Sequence, residues 1–110
     1  MKDLQKMMKE AQKVAAEMQQ AQAELAEVEF PGRAGGGAVE AVATGDGRIV
    51  SISIDPEVFE GVPDADDIEM LGDTVAAAVN EALNQARAAQ EQAMGPIAGG
   101  LGALGMGPPR

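Results

Sequence analysis

Along the N-terminal segment the apolar residues recur with a fixed rhythm. Leu4, Met7, Ala11, Val14, Met18, Ala21, Leu25 and Val28 follow one another by alternating steps of three and four. This is an a/d heptad pattern held over four heptads, with a at Leu4, Ala11, Met18 and Leu25. A strict 3.5-residue repeat of that length predicts a coiled-coil helix rather than one lying flat on a globular core. Residues 2–29 contain neither Gly nor Pro and are rich in Gln, Ala, Lys, Glu and Met, all good helix formers. Such a helix is about 40 Å long. Pro31 and Gly32 end it.

The period then changes. Gly35, Gly36 and Gly37 break the chain, and residues 38–44 alternate loosely. Gly45-Asp46-Gly47 forms a turn cluster, after which Val50, Ile52 and Ile54 alternate with Ser51 and Ser53. Two short β-branched runs around a Gly/Asp turn predict an antiparallel hairpin. A short extended piece at residues 29–34 adds a third strand. Two or three strands are marginal alone, so this sheet must pack on something or pair across a dimer. Pro56 stops the last strand, and residues 56–60 suit a single helical turn.

A second helix is predicted to start near Asp66, where Asp66 and Glu69 fit a capping-box spacing and acids favour the positive end of the helix dipole. Ile68, Leu71, Val75, Ala78, Val79, Ala82, Leu83, Ala86 and Ala89 form its apolar stripe. Gly95-Pro96 is expected to end it near Met94, giving a length similar to that of the first helix. Residues 95–110 are Gly- and Pro-rich without a period and are expected to be a disordered tail behind one folded unit over residues 1–94. The fold class expected is therefore α+β: long helix, three-stranded antiparallel sheet, long helix.

Composition narrows the chemistry. Of the 110 residues 45% are hydrophobic but only 2% aromatic, namely Phe30 and Phe59. A core built from Ala, Val, Leu, Ile and Met is thin, which favours a helical or oligomeric solution. Cysteine and histidine are absent, so disulfides, thiolate nucleophiles, Cys/His zinc sites and imidazole catalysis are excluded. The net charge of -10, from 8 basic and 18 acidic residues, opposes general attraction to DNA or anionic membrane. Residues 1–10 have no apolar signal region, and no apolar window reaches the length of a membrane span. A cytoplasmic protein without membrane association is expected.

The total conceals a dipole. Lys2, Lys6, Lys9 and Lys13 fall on one helix face, at c and f positions opposite the seam. The first 13 residues carry four Lys against two acids, while the remaining 97 carry four Arg against sixteen acids. One reading is a phosphate-contacting stripe at a helix tip. The other is the ordinary solvated face of a coiled coil. The seam itself packs either on the second helix or on another protomer. Asp3, Glu10, Glu17 and Glu24 at g face only Met8, Ala15 and Gln22 at e, so two parallel copies gain no opposite-charge pairing.

Other motifs carry less. Gly100 to Gly105 matches GxGxxG but follows no strand and opens no helix, so it is not read as a dinucleotide site. The acids at 64–69 lack the glycine that a calcium loop needs at its sixth position, where Glu69 stands, and suit helix capping instead. No nucleophile–base set is present, so no enzyme, cofactor or small-molecule substrate is expected. Tyr and Trp are absent, which opposes single-strand stacking. A nucleic-acid ligand would be held through duplex phosphates, with weak sequence specificity.

The order of parts resembles the YbaB/EbfC family of bacterial nucleoid-associated DNA-binding proteins. The residues that carry the resemblance are the Met/Gln/Lys-rich opening (residues 1–22), Gly35-Gly36-Gly37-Ala38-Val39 and Ile52-Ser53-Ile54-Asp55-Pro56. Residues 70–82, MLGDTVAAAVNEA, are similar to the family's L-x-D-x-V-x-A-A-x-N-x-A signature. The resemblance implies a homodimer whose helical arms project like tweezers to hold double-stranded DNA, organising the nucleoid and influencing gene expression. Carried onto this chain, it points to Lys2, Lys6, Lys9 and Lys13 on the arm, with Arg33 and Arg48 as lesser DNA contacts. A different class of reading is a coiled-coil, chaperone-like interaction module whose exposed seam and Met/Leu-containing tail hold apolar clients. A third is a structural partner acting only within a larger assembly.

Overall fold

The computed structural model describes the backbone of residues 2–103 and the side chains of residues 3–97. Helix α1 spans Lys2–Ala26, strands β1, β2 and β3 span Glu29–Ala34, Val39–Thr44 and Ile49–Ile54, and helix α2 spans Ala65–Ala103. A 3-10 turn, Pro56–Val58, follows β3. The α+β order read from the sequence is therefore present. Residues 104–110, the end of the expected tail, lie outside the described residues.

The sheet is antiparallel in the order β1-β2-β3. Pro31 lies on β1, an edge strand, where a missing N–H costs no ladder bond. The tip of the first hairpin needs the glycine run, because Gly35, Gly36 and Gly37 all have positive φ, a region costly for a side chain. In the second hairpin the Thr44 amide donates to Arg48 O at 2.7 Å and the Gly47 amide to Thr44 O at 2.9 Å.

The alternation on β3 is interrupted. A register shift between Val42 and Ala43 pairs Ile49 with Ala43, while Ile52 pairs with Ala41 and Ile54 with Val39. Ile49, Ile52 and Ile54 therefore share the inner face, and Val50 is the residue displaced. The sequence places Val50 on that face because strict alternation ignores a bulge, which inserts one unpaired residue.

Helix α2 lies across β1 and β2. The core is Val39, Ala41 and Ala43 from β2 against Ala78, Ala82 and Ala86 from α2, all fully buried. Small side chains on both layers bring helix and sheet unusually close. A Cβ built on Gly32 would lie 3.0 Å from Ala82 Cα, and nearer still to the Ala78 carbonyl and the Ala82 amide nitrogen. Two side chains on α2 fasten β1: Gln85 Nε2 donates to Pro31 O at 2.8 Å, and Glu81 Oε2 accepts from the Arg33 amide at 3.2 Å.

Both ends of α2 differ from the sequence reading. The cap is Asp64 with Asp67, not Asp66 with Glu69: the Asp67 amide donates to Asp64 Oδ1 at 2.9 Å and the Asp64 amide to Asp67 Oδ2 at 3.0 Å. A shorter Asp at N3 performs the reciprocal role more usually given to Glu. At the other end the helix runs through Gly95 and Pro96 instead of stopping at Met94, so part of the segment expected to be disordered is helical. A proline inside a helix forfeits one backbone hydrogen bond, at a cost of about 3 kcal/mol. The added turn buries Ile97, an offset absent from local propensity rules. Helix α2 is thus 39 residues long, against 25 for α1.

The loop residue Gly45 ties the two helices together. Its amide donates to Leu25 O at 2.9 Å, and its carbonyl accepts from Gln90 Nε2 at 2.8 Å. Leu25 and Gln90 therefore stand at one level. From there α1 extends back about 35 Å to Lys2 and α2 forward about 20 Å to Ala103, at 1.5 Å per residue. Where the helices lie side by side they pack on each other, and about 15 Å of α1 overhangs. The radius of gyration is 20.6 Å, with extents of 75 × 28 × 18 Å. A compact domain of this length has a radius near 13 Å, so the molecule is an elongated body with an arm.

Candidate nucleic-acid interface

The overhang explains what becomes of the heptad seam. Val14 and Leu25, beside α2, are only 7% and 9% exposed, whereas Leu4 and Met7 are 58% and 48% exposed. Met18 stays partly open as well. The four-heptad repeat is real as a pattern, but within one chain it is covered only in places: Val14 and Leu25 are buried, while Leu4, Met7, Met18 and Val28 stay open.

The lysines sit on the opposite side of this arm. Lys6, Lys9 and Lys13 are exposed, and with Lys2 they fall within about 60° of arc at 100° per residue. The seam faces α2, so the lysine face points away from that helix and its acids, Asp66, Asp67, Glu69, Asp73, Glu81 and Glu91. Among the described residues none of these lysines forms an ion pair. The arm thus offers exposed ammonium groups, one helical turn apart, to a ligand of repeating negative charge.

The two arginines named from the sequence do not join this stripe. Arg33 lies on β1 opposite Glu40 of β2, and its Nε stands 2.7 Å from Glu40 Oε2. The pair is substantially exposed, so it contributes little to stability, but it offsets the charge of Arg33. Arg48 is exposed in the β2–β3 turn, close to the root of the arm. Sequence reasoning passed over Arg87, which is exposed on α2 beside this turn and donates to Asn84 Oδ1 at 3.3 Å.

A second surface lies on the sheet, which the sequence reading required to pack on something or pair across a dimer. Ile52 and Ile54 belong to the inner face of the sheet, yet they remain 45% and 43% exposed, because α2 covers β1 and β2 and barely touches β3. The free edge of β3 runs beside them. At its end a cavity of about 170 Å³ opens, lined largely by apolar residues including Ala38, Val58, Phe59, Met70 and Leu71. Uncovered isoleucines beside an unpaired strand edge are the signature of an unfinished interface. The signal in the sequence was that two or three strands are marginal alone; it did not single out Ile52 and Ile54.

No helix among the described residues is long and apolar enough to cross a membrane, and no group of three or more acids there is placed to hold a metal ion. Fold and surface together define a rod-like α+β protein whose clustered cations occupy a helix tip. The sequence model of the YbaB/EbfC DNA-binding family matches residues 1–101. The chain is 43% identical over 100 residues to a nucleoid-associated protein of Saccharopolyspora erythraea, an alignment covering 91% of this chain and 83% of that one. It is 44% identical over 82 residues to one of Rhodococcus jostii, covering 74% and 69%, and 45% identical over 83 residues to one of Lachnospira eligens, covering 76% and 68%. The chain belongs to the YbaB/EbfC DNA-binding family.

Proposed function

We propose that two copies of this chain associate and grip duplex DNA between their α1 arms, with Lys2, Lys6, Lys9 and Lys13 of each arm set against phosphates. The observation that carries the reading is the overhang: exposed lysines stand on a helix segment that leaves the acidic body behind. Two copies double the charge of -10 to -20, so the body repels DNA and confines binding to the arm tips. Phosphate contacts carry no sequence information, so binding is of low specificity and suits packaging of the nucleoid, with influence on gene expression as a consequence. Arg48 and Arg87, exposed near the arm's root, serve as secondary contacts in this reading, while Arg33 is held by Glu40. Self-association is supported by Ile52 and Ile54, whose exposure beside the β3 edge matches what a second copy would cover.

The test is gel retardation of random-sequence duplexes by wild type and by a variant with Lys→Gln at positions 2, 6, 9 and 13. Loss of retardation with helicity and oligomeric state retained is the expected result. Unchanged retardation refutes the assignment. The open seam of Leu4, Met7 and Met18 favours one competing reading, a holder of apolar segments. That reading predicts suppression of client aggregation, unaffected by the same four substitutions.

A further inference from the structure

The four lysines of α1 are not equivalent, and the difference lies in their neighbours on the helix surface. Residues three and four apart touch on a helix. Lys6 has Asp3 and Glu10 at those distances, and Lys13 has Glu10 and Glu17. Lys9 has Gln5, Gln12 and the two other lysines, and no acid. Lys2 has only Gln5 and Lys6 at those spacings. The cause is the heptad arrangement. The acids occupy the g row, about 70° to one side of the stripe, while Gln5 and Gln12 occupy the b row, about 80° to the other side. All of these glutamines are exposed. Among the described residues no side-chain hydrogen bond engages Gln5 or Gln12, whereas Gln20 donates to Glu24 Oε1 at 3.3 Å.

We infer that duplex DNA seats on one half of the arm, the half formed by Lys9 with Gln5 and Gln12, and does not straddle the lysine stripe symmetrically. The inference rests on the proposed DNA-binding role of the arm and assigns it a face. A phosphate chain approaching the other half meets a row of carboxylates three and four residues from Lys6 and Lys13, which repels it although no ion pair forms there among the described residues. On the glutamine half it meets uncompensated ammonium groups flanked by side chains that donate and accept hydrogen bonds. A glutamine amide bonds a phosphate or sugar oxygen, or an adenine edge in the major groove. The g-row acids act as a fence that fixes which way the arm is rotated on the duplex.

Fluorescence anisotropy with a labelled duplex and the full chain distinguishes the halves. Lys9→Gln is expected to weaken binding about tenfold and to make the salt dependence shallower by about 0.9 for each arm engaged. Lys13→Gln, on the fenced half, is expected to weaken it no more than about threefold, because the neighbouring carboxylates lower the local attraction for phosphate. The double variant Gln5→Ala, Gln12→Ala is expected to lose about tenfold, two modest hydrogen bonds, with the salt slope unchanged because no charge is removed. Gln19→Ala, on the same row beyond the last lysine, is the control and should bind as wild type. Alanine favours helix, and far-ultraviolet circular dichroism confirms each variant is folded. If Lys13→Gln costs as much as Lys9→Gln, or the double glutamine variant binds as wild type, the assigned face is wrong even though the arm binds DNA. If the fourfold lysine variant still binds, the role of the arm fails first.

Discussion

Replacing Gly32 by alanine tests how closely the sheet lies on α2. The added methyl would stand 3.0 Å from Ala82 Cα, and closer to the Ala78 carbonyl and the Ala82 amide nitrogen. All three are helix backbone, so no side chain can rotate away, and relief requires lifting β1 from the helix. Overpacking of this kind costs about 1–3 kcal/mol, and the upper end applies where backbone meets backbone. Lifting the strand also strains the bonds from Gln85 to Pro31 and from the Arg33 amide to Glu81, each worth about 1 kcal/mol. The expected loss is about 4 kcal/mol, a large share of the roughly 5–15 kcal/mol that holds a domain together. Urea unfolding followed by circular dichroism, at fixed protomer concentration, measures it. Gly36→Ala is the control. Its φ is positive and nothing lies within 4 Å, so it isolates the backbone cost of about 1–2 kcal/mol. A Gly32→Ala variant within about 0.5 kcal/mol of wild type, the ordinary range of a surface substitution, refutes the close approach.

Two further outcomes follow from the fold. Asp64→Ala removes one half of the reciprocal cap of α2, so the midpoint of urea unfolding should fall by the equivalent of about 1 kcal/mol. Replacing Ile52 and Ile54 together by serine should convert the proposed dimer to monomer in light-scattering chromatography while the helical signal persists, since both side chains are already half exposed in one chain. A dimer that survives places the interface elsewhere.

Much of this architecture was legible because local chemistry and tertiary structure agree. The strands fall where glycine clusters punctuate β-branched runs, and the α2 stripe of Ala78, Ala82 and Ala86 is the stripe that packs. The departures share a cause: each depends on what a residue meets across the fold. Pro96 ought to stop a helix, yet the chain continues and buries Ile97. The heptads run on to Leu4, but the described part of α2 reaches only to a level about ten residues from the arm's tip, at 1.5 Å per residue, and Leu4 and Met7 are exposed, so periodicity overstates burial. Val50 fits the alternation, but the bulge hands its place to Ile49. Arg33 looks available until the register sets it beside Glu40. The lysine stripe was visible from spacing alone, because on a helix three-and-four spacing is geometry. That it stands clear of the acidic body was not, since this depends on where α2 stops.

In the proposed complex, cations on the α1 arm, clear of the anionic body, hold the DNA, and the slope of log affinity against log salt reads their contribution. With four to eight lysines engaged across a dimer, the wild-type slope should lie between about -3.5 and -7, and the fourfold Lys→Gln variant should show a slope near zero. A wild-type slope near zero, or a steep slope that survives loss of all four lysines, contradicts the claim.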